Sequence, residues 1–381
     1  MLAGCGPLAR FRQPEPAPAL PFATDTVRTE VLRTGVAHWF IYARKGPWAI
    51  HVLDVDLGKC YAAVAVKGAP GAAGREKTSK LLEALGKTQD VVGGVNADFF
   101  SLGAPQGVPT GALISRGRVF TGPSAQPVLT FDANGTPQIL QLEARGSALV
   151  GTQRIAITGW NHAVVNGLAV FDNNWNSATD SASSAIEVVL AARNPSRVSL
   201  VDTARAGVGI PADGFVLVAG RNAPSTVRAA LLSLRAGDVV RADVELAPVH
   251  PREAVGGRPV LVRDSVVPGI VDTEGQPGFA TGRHPRTAAG IARGGKRLIL
   301  AVVDGRQMPY SDGMTLRELA NLMLALGAHD AINLDGGGST TFVYSPRDSA
   351  GTLRIANRPS DATGERAVGD ALAIVRGCNA R

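Results

Sequence analysis

Cysteine is nearly absent from this chain: three residues in 381, at positions 5, 60 and 378. That is too few for a disulfide scaffold, and the spacing is not that of a zinc site. The six histidines (His38, His51, His162, His250, His284 and His329) are likewise dispersed without metal-ligand spacing. Aromatic residues make up only 5%, and no apolar run is long enough to span a bilayer. A net charge of +7 comes without any Lys/Arg run or aromatic-interleaved basic stripe, so no nucleic-acid partner is expected. No repeat of fixed period is visible.

What the chain does have is glycine (45) and proline (24), with 45% hydrophobic against 19% charged residues. That balance describes a globular protein with an ample core, made of short strands and tight turns. The expected class is α+β: a single large domain with a mixed β-sheet core and a few flanking helices. Helices are expected at 75–86, 225–234 and 315–327. The last carries a capping-box signature, Thr315 with Glu318, and Gly327 as its stop. Strands are expected at 48–57, 91–100, 184–192, 214–220, 238–246, 297–305 and 331–335, with a turn at Asp132-Ala133-Asn134-Gly135. If the strands 297–305 and 331–335 are adjacent and parallel, Asp304 and Asp335 emerge together on one sheet edge.

The amino terminus reads as a separate piece. Residues 1–26 hold Leu2-Ala3-Gly4-Cys5, which resembles a lipobox, and then a Pro-rich tether. The basic and apolar segment that should precede a lipobox is missing, so the natural start is expected upstream. Residues 27–381 form the expected catalytic domain. Cys60 and Cys378 either close a disulfide or stand as two buried free thiols, and the second is the simpler expectation.

The chemistry concentrates in "AINLDGGGSTTFVY", residues 331–344. A strand delivers Asp335 to its end, and Gly336, Gly337 and Gly338 let backbone N–H groups turn inward as an anion-binding nest. Ser339, Thr340 and Thr341 add hydroxyl donors. The Gly-Lys-Ser/Thr end of a Walker loop is absent. Four further stretches pair charge with turn residues: "NADFF" (Asn96, Asp98), "RHPRTAAGI" (Arg283, His284, Arg286), "VDGRQ" (Asp304, Arg306) and "NRPSDATGER" (Asn357, Arg358, Asp361, Glu365, Arg366). Several arginines beside several carboxylates suit a phosphate-bearing substrate whose reaction needs a carboxylate.

Together these stretches, with "SDGMTLRELANLMLALGAHD" before and "ERAVGDALAIV" after, resemble the phosphodiester glycosidase family, strongly over 91–376 and weakly from about 28. The resemblance implies an enzyme that breaks the anomeric C–O bond of a sugar-1-phosphodiester and releases a phosphate monoester. It implies Asp335, Asp304 and Asp98 as catalytic candidates. Family members often carry glycine where Ala97 or Asp98 stands, so Asp98 departs from the pattern. Expected substrate and phosphate contacts are Asn96, Arg286, Arg306, Gly336, Gly337, Gly338, Ser339, Thr340, Arg358 and Arg366. The expected partner is a glycosyl-phosphate diester or phosphorylated glycan of a bacterial cell envelope, with membrane contact only through a lipid on Cys5. No cofactor is firmly implied. The rivals are a phosphodiesterase holding a divalent cation through Asp304, Asp335 and Asn333, and a non-catalytic binding module.

Overall fold

The computed structural model describes residues 19–179, 184–192, 195–203, 207–349 and 351–377. The lipobox-like segment and Cys378 lie outside them. Cys60 is exposed and disulfide-bonded, so the expectation of a buried free thiol fails for it.

Two packed sheets carry the candidate site. A seven-stranded sheet runs, in spatial order, Thr26–Arg33, Val36–Ala43, Trp48–Asp56, Arg297–Val303, Arg286–Ala292, Ala328–Asn333 and Val260–Val262. Against it lies a five-stranded sheet of Arg354–Ile355, Phe342–Tyr344, Asp90–Asn96, Ala371–Arg376 and Tyr61–Val66. The Trp48–Asp56 strand shows why the layers stack. Ile50 and Val52 join the core on its helix side, while Leu53 and Val55 join the core between the sheets. A strand apolar on both faces has to be covered twice.

The helices form where the apolar periodicity places them. Helix α1 (Thr78–Gly86) buries Leu81, Leu82 and Leu85 on the outer face of the five-stranded sheet. Helix α2 (Ser225–Ser233) packs on a separate eight-stranded sheet built between residues 143 and 247. Helix α3 (Leu316–Ala325) buries Leu316, Leu319, Ala320, Leu322 and Met323 against the seven-stranded sheet, and both arms of its capping box are present. Gly327 follows at φ +93°, the left-handed geometry that suits glycine after a helix. A fourth sheet, of five short strands, includes the Val128–Phe131 and Pro137–Leu140 hairpin across the expected Asp132 turn.

The α+β class therefore holds. The described pairings are antiparallel except for Gly159–Trp160 with Leu168–Asp172. The two strands that end at Asp304 and Asp335 are not adjacent. Arg286–Ala292 lies between them, antiparallel to both. Because it opposes each, they still run in the same direction and emerge on one edge. The intervening strand starts at that edge, which puts Arg286 between the two aspartates.

Between the sheets sit two histidines. His38 Nε2 and His51 Nδ1 are 3.0 Å apart, stacked at 5.3 Å and packed on Phe342. Burial lowers His38 to about 4, and burial with the neighbouring His38 lowers His51 to about 3. In the unfolded chain both would take up protons near the ordinary pH of about 6.5. Between that pH and about 4 the unfolded state binds more protons, so this pair's contribution is lost as pH falls through the window. Relative to a His38→Phe/His51→Leu variant, the wild type should lose melting temperature on going from pH 7 to pH 5. Parallel pH curves would show that the pair contributes nothing.

Candidate active site

The edge where Asp335 emerges is assembled from five segments, 96–98, 284–286, 304–306, 335–341 and 357–366. Asn96, at the end of the Asp90–Asn96 strand, is the brace. Its Nδ2 donates to Asp335 O at 2.7 Å, and its Oδ1 accepts from Thr287 Oγ1 (2.9 Å) and Thr341 N (3.0 Å). The side chain is fully buried and both ends are engaged, so Asn96 positions the loop and has no free atom for the expected substrate contact.

Backbone contact requires glycine at 336, a left-handed φ favours it at 337, and at 338 a side chain would have to displace the Arg366 and Asp361 ends. A Cβ on Gly336 would lie 2.6 Å from Pro285 O, and one on Gly338 would lie 2.2 Å from Arg366 Nη2 and Asp361 Oδ1. Gly337 adopts φ +62° and faces the Arg306 guanidinium. The expected open nest is smaller than the sequence suggests. Gly336 N–H donates to Asp335 Oδ1, Gly337 N–H to Pro285 O, Ser339 N–H to Gly336 O, Thr340 N–H to Gly337 O and Thr341 N–H to Asn96. Among the described hydrogen bonds only the Gly338 N–H of this run donates to nothing. Ser339 Oγ and Thr340 Oγ1 are also buried without a hydrogen-bond partner. These three donors are what the loop still offers.

Asp335 is partly exposed at the head of the loop. Burial pushes it up to about 6, against the Ser339 hydroxyl, the Gly336 N–H and the Arg366 charge, which pull it down. Ser339 acts there by proximity, since its hydroxyl meets no hydrogen-bond geometry. Near neutrality the group is a carboxylate of raised basicity, suited to attack, to base work or to facing a cationic carbon.

Asp304 behaves differently. It is 0% exposed and its oxygens are taken: Oδ1 by Asn357 Nδ2 (3.0 Å) and Arg358 N (3.0 Å), Oδ2 by the Tyr310 hydroxyl (3.3 Å). Asn357 in turn bonds Thr340 O and Phe342 N, so Asp304 secures the loop from behind. The expectation that both aspartates open onto one cleft fails for Asp304, because its carboxylate is needed inside. It therefore does not converge with Asp335 and Asn333 as a cation set. Among the described residues no group of three or more His, Cys, Asp or Glu is arranged to hold a metal ion. Asp304→Ala should leave the Asn357 and Arg358 donors unpaired and cost on the order of 2–3 kcal/mol of stability. A melting temperature equal to wild type would contradict this bracing role.

The arginines divide as well. Arg286 is 2% exposed, with Nε on Met314 O (2.8 Å) and Nη2 on Phe279 O (2.6 Å) and Gly282 O (3.0 Å). Among the described residues no carboxylate lies within ion-pair distance of it, and no hydrogen bond is described from its Nη1. Burial first, and Arg306 second, lower it to about 10. Arg306, at φ +59°, stands exposed over Gly337 and reaches His284 Nδ1 at 3.3 Å, also without a carboxylate. His284 is lowered by burial, and its neighbours Arg286 and Arg306 add to that. Arg366 is instead paired bidentately with Asp361 at 2.8 and 3.0 Å. Arg358 is exposed and stacks over Tyr310 at 4.0 Å. Two unpaired guanidiniums beside a poised carboxylate make an anion site.

Behind the loop lie Asp98, one of the expected catalytic candidates, and two residues the sequence reading did not single out, Asp370 and Arg258. Asp98 is 1% exposed, accepting Gly111 N–H on Oδ2 at 2.6 Å, with Oδ1 unpartnered. Burial, then Asp370, raise it well above the usual carboxylate range. Asp370, unmarked in "VGDALAIV", accepts the Asp98 N–H at 2.9 Å. Arg258 is the other omission. It sits at the same edge, bonded through its backbone to Asn333, with its guanidinium near the Phe99 and Phe279 rings.

This sheet-edge arrangement occurs in a chain that matches the phosphodiester glycosidase family model over residues 163–375, more than half its length. The chain belongs to that family. Its fold is similar to that of a hypothetical protein from Synechocystis (TM-score 0.74, 20% identity), over 92% of this chain and 64% of that one. It therefore spans less than two thirds of that relative. A candidate exported protein from Burkholderia pseudomallei K96243 aligns at TM-score 0.65 and 25% identity, over 87% and 74% of the two chains. The catalytic domain of zebrafish N-acetylglucosamine-1-phosphodiester alpha-N-acetylglucosaminidase, at TM-score 0.43 and 17% identity over 96% and 85%, is too loose a match to carry weight. No curated protein matches the chain.

Proposed function

We propose that the protein hydrolyses the glycosyl C–O bond of a sugar-1-phosphodiester, releasing a free sugar and a phosphate monoester. The observation that carries this reading is Arg286, a buried guanidinium without a carboxylate, facing Arg306 beside Asp335. A buried cation left unpaired by its own fold is stabilised when an anion arrives.

The anomeric C–O bond breaks and its electron pair goes to the phosphate oxygen, while water supplies the new oxygen at the carbon. A phosphate monoester has a second pKa near ~6 and leaves readily, so little proton donation is needed. Arg286, Arg306, the Gly338 N–H and the Ser339 and Thr340 hydroxyls suit the charge developing on phosphate. Asp335 suits the positive charge developing on the sugar carbon. Activity that depends on the Asp335 carboxylate should decline as pH falls through about 6, the value to which burial raises it. A rate profile flat from pH 7 to pH 5 would contradict that.

Incubation with a panel of glycosyl-phosphate diesters, with products identified by mass, tests the reading. Release of free sugar is expected; saturable binding without product would make this a binding module. The setting we propose is the bacterial envelope or its exopolysaccharides. The support is the exported designation of the Burkholderia relative and the lipobox-like Cys5. Metabolic labelling with a radioactive fatty acid should mark the wild type and not Cys5→Ser. Among the described residues no helix is long and apolar enough to cross a membrane.

A further inference from the structure

His284 stands between Arg306 and the 278–282 segment, and no step above uses it. Its backbone is locked to the turn that holds Arg306. His284 N–H donates to Met314 O at 3.2 Å, His284 O accepts the Met314 N–H at 3.0 Å, and Arg306 N–H donates to Asp312 O at 3.2 Å. The ring is engaged at both nitrogens, Nε2 with Gly278 O at 3.1 Å and Nδ1 with Arg306 Nη2 at 3.3 Å. Gly282 leaves the ring its room, since a Cβ there would lie 2.8 Å from Nε2. The same 278–282 segment also receives Arg286, through Phe279 O and Gly282 O. One stretch of carbonyls thus aims an imidazole and a guanidinium at one place.

The partners decide where the ring proton sits. A carbonyl only accepts, so Nε2 bears the hydrogen; a guanidinium only donates, so Nδ1 presents its lone pair. His284 is therefore the neutral Nε2–H tautomer, and its free protonation site is Nδ1, beside the guanidinium that covers Gly337. We infer that His284 is a third anion-binding residue of this site, and a proton-linked one: in the free protein Nδ1 accepts from Arg306, and when an anion binds at Arg286 and Arg306, Nδ1 takes a proton from solvent and donates it in a hydrogen bond to an anion oxygen. Burial, then Arg286 on its own segment and Arg306 from the 304–314 turn, oppose that proton, while the Gly278 carbonyl favours it. Arg283, next to it in the chain, is turned to Asp312 and Glu318. A bound anion supplies the opposite charge that tips this balance.

Sulfate is the probe, because its charge is constant from pH 5.5 to pH 7.5 whereas that of phosphate changes. Calorimetry in two buffers of different ionisation enthalpy counts the protons taken up per sulfate bound. Asp335 would also gain protons beside an anion, so the count is made in Asp335→Asn. That protein should take up on the order of half a proton near pH 6, and bind sulfate about threefold to tenfold more tightly at pH 5.5 than at pH 7.5. Adding His284→Asn places an amide oxygen near the Nδ1 position, able to accept from Arg306 but not to protonate. The uptake should then vanish and the affinity should become level with pH.

Nitrogen-15 NMR of the wild-type histidines needs no variant. It should show His284 as the Nε2–H tautomer, with a midpoint that rises by about one pH unit in saturating sulfate. A midpoint that sulfate leaves unmoved overturns the inference, and so does equal proton uptake with and without His284. Failure of sulfate to bind overturns it together with the anion site. The inference rests on that anion site and not on the chemistry at Asp335. Proton-linked sulfate binding without turnover on any diester would uphold it and sink the proposed reaction instead.

Discussion

Asp335→Asn should lower turnover of a glycosyl-phosphate diester by about 10³-fold, on the order of 4 kcal/mol, while substrate affinity changes little. The amide keeps the shape of the carboxylate and can still accept the Gly336 N–H that Oδ1 now takes at 2.9 Å. What it loses is the charge that faces the sugar carbon. The Asn96 bond is made to the Asp335 backbone, so the glycine loop should keep its place and the melting temperature should hold. Isothermal calorimetry on the inactive variant gives affinity, and initial rates give turnover. Turnover within threefold of wild type would remove Asp335 from the chemistry. Asp304 is not free to take over, because it is closed in by Asn357, Arg358 and Tyr310.

The second large effect belongs to Arg286. Arg286→Lys should reduce kcat/KM by about 10²-fold, since one ammonium cannot reproduce a planar fork. The loss should grow for substrates that release a more basic phosphate ester, because more charge then needs stabilising in the transition state. Part of the effect is structural: Nε and Nη2 hold Met314 O, Phe279 O and Gly282 O, so residues 279–285 should loosen and stability should fall. The leaving-group series separates these contributions. A uniform loss across leaving groups would assign Arg286 to the scaffold; a graded loss assigns it to the phosphate.

The glycine loop was legible because its strangeness is local. Three glycines in a row mark three close approaches, and Pro285, Arg306 and the Arg366–Asp361 pair make them. Helix α3 was legible for the same reason, its capping box lying within four residues. Asp304 illustrates the limit. Its place at a strand end could be read from "RLILAVVDG", but its role depends on Asn357 and Arg358, more than fifty residues later. The residues 283–291 read as charge beside turn residues, whereas Arg286 begins a strand that separates the two ending at Asp304 and Asp335. Asp370 carries no local mark at all; it gains meaning only where the Ala371–Arg376 strand lies between Tyr61–Val66 and Asp90–Asn96. Unpaired amides, too, cannot be counted from sequence, and the nest shrank once each N–H found its acceptor.

The central claim is that the bond broken is sugar carbon to oxygen. Hydrolysis of a glycosyl-phosphate diester in oxygen-18 water, with both products weighed by mass spectrometry, reads this in one step. The account predicts label in the released sugar and none in the phosphate monoester. Label in the phosphate would mean attack at phosphorus and would contradict the roles given to Asp335 and Arg286.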